Sequence, residues 1–160
     1  MASKPSAPPV KKDVVPKKRM TTRSAKNKGA RLQNFIRDLF RLLYYDTLDI
    51  EDIESRPMGN NGTDLILTPA AKKLIKFDVE CKNVEKLNIL EAYQQASANS
   101  TADRIPIVFH KKNRTDIYAT LSLQNLLILL YPDKNIDEIF KKVKQGIQWA
   151  EEKNISQKSN

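Results

Sequence analysis

Cysteine and histidine each occur once in 160 residues. One cysteine cannot staple a fold, and one cysteine with one histidine falls short of the roughly four N/S ligands that a structural zinc site takes. Disulfide scaffolds, zinc fingers and histidine-driven hydrolases are therefore disfavoured. Long apolar runs are missing too: no stretch approaches the about 18 uninterrupted apolar residues of a spanning helix. Lysines and prolines open the chain with no apolar segment behind them, unlike a secretory signal. The expectation is a cytoplasmic protein without a membrane partner. What is present, 18.3 kDa with 40% apolar residues, suits a single domain with an ordinary core.

The net charge of +9 is unevenly placed. Residues 1–28 hold Lys4, Lys11, Lys12, Lys17, Lys18, Arg19, Arg23, Lys26 and Lys28 against Asp13 alone, a net of +8, so the other 132 residues carry only +1. With four prolines and almost no large apolar side chain, the first 25 residues lack the means to offset the entropy of ordering. They read as a disordered basic arm, either a solubilising terminus or a polyanion tether that releases counterions from nucleic acid. Lys17-Lys18-Arg19 also has the form of a short nuclear address.

Beyond the arm, Leu32, Phe35, Ile36, Leu39, Phe40 and Leu43 recur at three- and four-residue steps and predict an amphipathic helix over 26–45. Asp46 to Ser55 reads as acidic and irregular, and Met58-Gly59-Asn60-Asn61-Gly62 as a turn. Strands are expected at 63–67, 76–83, 105–109 and 117–121, the last of them buried. Thr68-Pro69 caps one helical turn, and a helix follows over 87–99. A charged turn spans 111–116, and a helical run ends near Tyr131-Pro132. The last helix opens on the Asn135/Glu138 cap and presents Ile136, Ile139, Phe140, Val143, Ile147 and Ala150 as one stripe. This order belongs to an α/β sandwich, a mixed central β-sheet flanked by helices. The globular domain is expected over 26–152, with a flexible C-terminal tail at 153–160.

Chemistry is sought where polar groups sit at spacings that packing does not require. In Asp78-Val79-Glu80-Cys81-Lys82-Asn83 strand alternation puts Glu80 and Lys82 on one face and Val79 and Cys81 on the other. Taken alone, Glu80 and Lys82 also suit an exposed ion pair of little consequence. Asp64, after the glycine-containing turn, is expected on a neighbouring antiparallel strand beside Glu80. Two converging carboxylates repel unless a cation lies between them, and such oxygen ligands suit Mg²⁺ or Mn²⁺. A lysine beside that cation can orient or deprotonate a water aimed at phosphorus.

Asp64, a gap of fifteen residues, and Glu80-Cys81-Lys82 together resemble the PD-(D/E)XK nuclease superfamily, whose fold is restriction-endonuclease-like. Further residues sharpen the likeness: Lys28-Gly29 at the first helix, Arg56 eight residues before Asp64, Asn61 to Lys73, Leu87-Asn88-Ile89, Gln94-Gln95-Ala96, Ile107-Val108-Phe109 and Lys112-Asn113-Arg114. Over roughly residues 26–130 the chain looks like the phage relatives of archaeal-type Holliday junction resolvases, which implies the host cytoplasm if the chain is phage-encoded. The resemblance implies a homodimeric, metal-dependent endonuclease acting on four-way DNA junctions. Asp64 and Glu80 would bind the metal with the Cys81 carbonyl, Lys82 would position the attacking water, and Gln95 would stand close by. Lys28, Arg31, Arg56, Lys111, Lys112 and Arg114 would contact DNA. Where the archaeal pattern has a glutamate, this chain has Gln33, an amide that can hold a metal-bound water but adds no charge. That weakens a second cation site and leaves room for a catalytically impaired DNA-binding protein of the same fold. A nicking or sequence-reading nuclease is the other alternative. His110 reads as a filler near a strand end, Cys81 as a small apolar residue, and Trp149 as packing. Tyr44, Tyr45 and Tyr93 read as core, interface or base-stacking residues.

Overall fold

The computed structural model describes residues 22–158. The basic arm through residue 21, the side chains of Thr22 and of residues 149–158, and residues 159–160 lie outside that description. The first helix, α1, runs Thr22–Leu43, so the last four residues expected in the arm belong to it. Leu32, Ile36 and Phe40, one helical turn apart, are all buried. A 3-10 turn at Ile50–Asp52 leads into β1 (Ile53–Ser55), which pairs antiparallel with β2 (Leu65–Leu67). The segment expected to be irregular thus contains a strand, made worthwhile by the complete burial of Ile53 against this core.

Thr68 caps α2 (Pro69–Leu74), its hydroxyl accepting from the Ala71 N–H, as the Thr-Pro pair predicts. Next come β3 (Phe77–Asn83), α3 (Ile89–Asn99), β4 (Ile105–Lys111) and β5 (Tyr118–Thr120). β3 and β4 are parallel with α3 as the crossover, and β5 pairs antiparallel with β4, making a mixed three-stranded sheet. The chain is mixed α/β. β5 is an exposed edge rather than a buried strand, because nothing among the described elements pairs with its outer side.

The two faces of the sheet divide the core. On one, Val79, Cys81 and Ile107 pack with Leu32, Ile36, Phe40, Leu65 and Ile75, and Phe40 meets the ring of Phe109 edge-on at 6.3 Å. Each fully buried aliphatic side chain there contributes about 1.5–3 kcal/mol. On the other, Ala92 and Ala96 of α3 lie on Val108, small residues that bring the helix close to the strands. Arg104 pairs with the buried Asp78 at 2.6 Å, and Ser100 and the Thr101 N–H donate to the same carboxylate, tying the end of α3 to β3.

Two capped helices complete the chain. Ser122 caps α4 (Leu123–Leu130), and Asn135 accepts from the Glu138 N–H at the start of α5 (Ile136–Lys158). α5 continues past residue 152 into the stretch expected as a flexible tail. Its apolar stripe exists, but among the described residues of that stripe only Ile136 is buried; Ile139, Val143 and Ile147 are exposed, as are Leu123, Leu126, Ile128, Leu129 and Leu130 of α4. Periodicity identifies residues that share a face, and here the described residues leave most of that face uncovered.

Candidate active site

Local backbone chemistry delivers Asp64 to β3. The 56–64 turn is built with positive φ at Gly59 and Gly62, values of 97° and 112° that suit glycine. A Cβ at Gly62 would lie 3.1 Å from the Arg56 guanidinium carbon, so the glycine also lets that side chain fold over the turn. Arg56 Nε donates to the Thr63 carbonyl at 2.6 Å, and the Arg56 N–H to the Asp64 carbonyl at 2.8 Å. The regular ladder of β2 is with β1, yet Asp64, the residue just before β2, reaches β3 directly. Its N–H donates to the Val79 carbonyl at 2.8 Å, and its carboxylate accepts from the Cys81 N–H at 2.6 Å. Because the N–H and C=O of one strand residue project to the same edge, the Cys81 carbonyl points toward Asp64 as well.

Glu80 lies on the α3 side of β3 and is 4% exposed, which corrects the picture of an exposed ion pair. Lys82 Nζ bonds Glu80 Oε1 at 2.7 Å and donates to Gln95 Oε1 on α3 at 2.9 Å. The structure therefore brings Asp64, Glu80, Lys82 and Gln95 into one cluster. Burial pushes the Asp64 carboxyl from 3.8 up to about 6, with the Glu80 charge adding to the rise and the Cys81 N–H, Lys82 and Arg56 opposing it. The contrast with Asp78, two residues before Glu80 on the same strand face, is informative. Asp78 has an arginine, a hydroxyl and an N–H, whereas Asp64 sits in a partly buried place where its negative charge is undercompensated.

Gln33 is 2% exposed, and its amide nitrogen donates to the Arg56 carbonyl at 2.7 Å and the Asp64 carbonyl at 2.6 Å. It clamps the turn to α1 and so positions Asp64 through the main chain. This role was missed because nothing in the sequence pairs a helix residue with two carbonyls 23 and 31 residues away. Cys81 packs in the core on the α1 side, where burial pushes its thiol well above the ordinary range and keeps it unreactive.

Among the described residues, no group of three or more His, Cys, Asp or Glu side chains gathers as a metal cage. A cation held by Asp64 and Glu80 would have only two carboxylates and a main-chain carbonyl. That donor set fits Mg²⁺ or Mn²⁺, which keep most of their waters and take oxygens from the substrate. Asp64, its carboxyl raised first by burial and then by the neighbouring Glu80 charge, is the observation that favours a cation there.

Of the basic residues, Lys28 donates to Asn113 at 2.7 Å, while Asn83 donates to the Lys28 carbonyl at 3.1 Å. Arg31 and Lys111 line one cavity, and Lys112 and Arg114 are exposed on the loop beyond it, Arg114 with φ of 61°. These five collect where the C-terminal ends of β3 and β4 meet α1; Arg56 stands apart, at the Asp64 turn. His110 is the Cα partner of Lys82 on β4 and stacks on Tyr118 with ring centroids 6.0 Å apart. Its ring bonds the Thr120 hydroxyl at 3.0 Å, and burial, then Lys112, lowers its pKa. Tyr44 and Tyr93 pack against the two core clusters, while Tyr45 is exposed. No helix among the described residues is long and apolar enough to cross a membrane. No family model, curated protein or solved structure matches this chain.

Proposed function

We propose that this chain is a divalent-metal-dependent DNA endonuclease with a restriction-endonuclease-like fold, similar to Holliday junction resolvases and acting as a homodimer on four-way or other branched DNA. The carrying observation is the pair Asp64 and Glu80, set side by side in partial or full burial with Lys82 touching one of them. Asp64, Glu80 and the Cys81 carbonyl hold the cation. When bound, Mg²⁺ or Mn²⁺ supplies positive charge to phosphate oxygens and acidifies water. Lys82, steadied by Gln95, orients a water toward phosphorus. Gln33 keeps the Asp64 main chain in place.

The fold part of this reading is supported by the mixed sheet, by α1 and α3 on opposite faces, and by an acid delivered to the edge of β3 from a glycine-containing turn. The exposed apolar rows of α4 and α5 support a homodimer, since a monomer rarely leaves so many large aliphatic side chains uncovered together. The cations Lys28, Arg31, Lys111, Lys112 and Arg114 support a DNA partner, and the arm adds phosphate affinity that carries no shape information. One observation favours a non-catalytic DNA-binding protein: the Lys82–Glu80 pair neutralises Glu80 without a cation. Incubation with a four-way junction and with a matched linear duplex, each with and without Mg²⁺, separates the two. The expected result is junction cleavage that needs the metal; junction binding with no cleavage in either condition gives the second reading, and binding to neither DNA defeats both.

A further inference from the structure

A cavity of about 610 Å³ opens between α1, the ends of β3 and β4, and the segment leading into β5. Leu32, Phe35 and Ile117 form its apolar part, Arg31 and Lys111 stand on its wall, and Asn83 lines it from the end of β3. Its volume lies within the range of sites for small organic ligands, roughly 300–1,000 Å³. Phe35 is 54% exposed although it belongs to a helix whose Leu32 and Ile36 are sealed, so its ring face is available beside two cations. Asp116 is the one anion on the lining, against two cations. An apolar floor with an aromatic ring, flanked by positive charge, matches one nucleotide: base on the floor, phosphate against Arg31 and Lys111.

We infer that this cavity holds a single unstacked nucleotide, and that it supplies the selectivity for branched DNA over duplex. The inference rests on the proposed function for its DNA source. A continuous duplex keeps its bases stacked, and extruding one costs free energy that a branch point has already spent. Asn83 and Lys82 leave opposite faces of β3, so a nucleotide seated here lies on the α1 side of the strand whose other face carries Lys82. Selection then comes from a residue outside the catalytic cluster, Phe35, whose exposure makes Phe35→Ala tolerable to the fold.

The test uses the full chain and two sources of the same chemistry. In the first arm, dAMP is titrated against ¹⁵N-labelled protein; shifts confined to residues around Arg31, Phe35, Lys111 and Ile117 are expected, and they are lost in Phe35→Ala. In the second, binding in Ca²⁺ is compared for a junction with intact branch-point nucleotides and for one with abasic sites there. Wild type is expected to lose roughly 5- to 100-fold in affinity on base removal, and Phe35→Ala to show no further loss. Equal losses for both proteins, or dAMP shifts elsewhere or absent, overturn the inference. Wild type that binds neither junction nor duplex defeats the proposed function, and the dAMP arm then decides the cavity on its own.

Discussion

Asp64→Asn should make the metal-free protein more stable at neutral pH. The folded carboxyl titrates near about 6 instead of 3.8, chiefly because it is buried and secondarily because Glu80 is near. A raised folded value means that the native state binds the proton more tightly than the unfolded chain. Relative to the protonated carboxyl, stability is unchanged below about pH 4, falls as pH rises from there through 6, and above that stays lower by a constant amount. The interval between 3.8 and about 6, at about 1.4 kcal/mol per pH unit, sets that cost at about 3 kcal/mol as an upper figure. Asparagine removes the charge at every pH while keeping an oxygen to accept from the Cys81 N–H, now at 2.6 Å. In chelator at pH 8, calorimetric unfolding of Asp64→Asn should therefore come roughly 3–9 °C above wild type. At pH 4 the two midpoints should converge, because wild-type Asp64 is then protonated. Adding Mg²⁺ at pH 8 should raise the wild type and leave the variant unmoved. A variant less stable than wild type at pH 8, or a difference independent of pH, would refute the idea that Asp64 carries uncompensated charge.

Gln33→Glu should destabilise by about 2–4 kcal/mol, because a carboxylate would face the Arg56 and Asp64 carbonyls that now accept from the amide; urea unfolding measures this, and an unchanged midpoint removes the clamp. Gly62→Ala should cost about 1–2 kcal/mol from the positive φ, and the crowded Arg56 guanidinium should shift the turn. Hydrogen exchange at the Asp64 N–H, bonded to the Val79 carbonyl, should accelerate in that variant, and unchanged protection would contradict it. Leu130→Glu with Val143→Glu, both exposed, should convert a sedimenting dimer into a folded monomer; a monomeric wild type at micromolar concentration, or a dimeric variant, defeats the α4/α5 seam.

Much of this architecture was legible where one residue type has one local consequence. Thr68-Pro69, Asn135 with Glu138, and the paired glycines of the turn act within a few residues, and each appears where its chemistry requires. Strand alternation likewise separates Glu80 and Lys82 from Val79 and Cys81. What was illegible depends on partners distant in the chain. β1 is three residues long and exists because β2 pairs with it, and Gln33 acts on carbonyls that only the folded turn brings to α1. The stripe of α5 reads equally well as core or as interface, since periodicity does not say what covers a face. The nucleotide-sized cavity draws on α1, β3, β4 and the segment before β5, and no local pattern marks it.

The central claim is that Asp64 and Glu80 jointly hold one catalytic cation. Manganese binding followed by electron paramagnetic resonance tests it without depending on any DNA substrate. One Mn²⁺ per chain is predicted for the wild type, displaced by excess Mg²⁺, with binding lost in both Asp64→Asn and Glu80→Gln. Wild type that binds no Mn²⁺ at millimolar concentration, or either variant that binds it as the wild type does, would contradict the account.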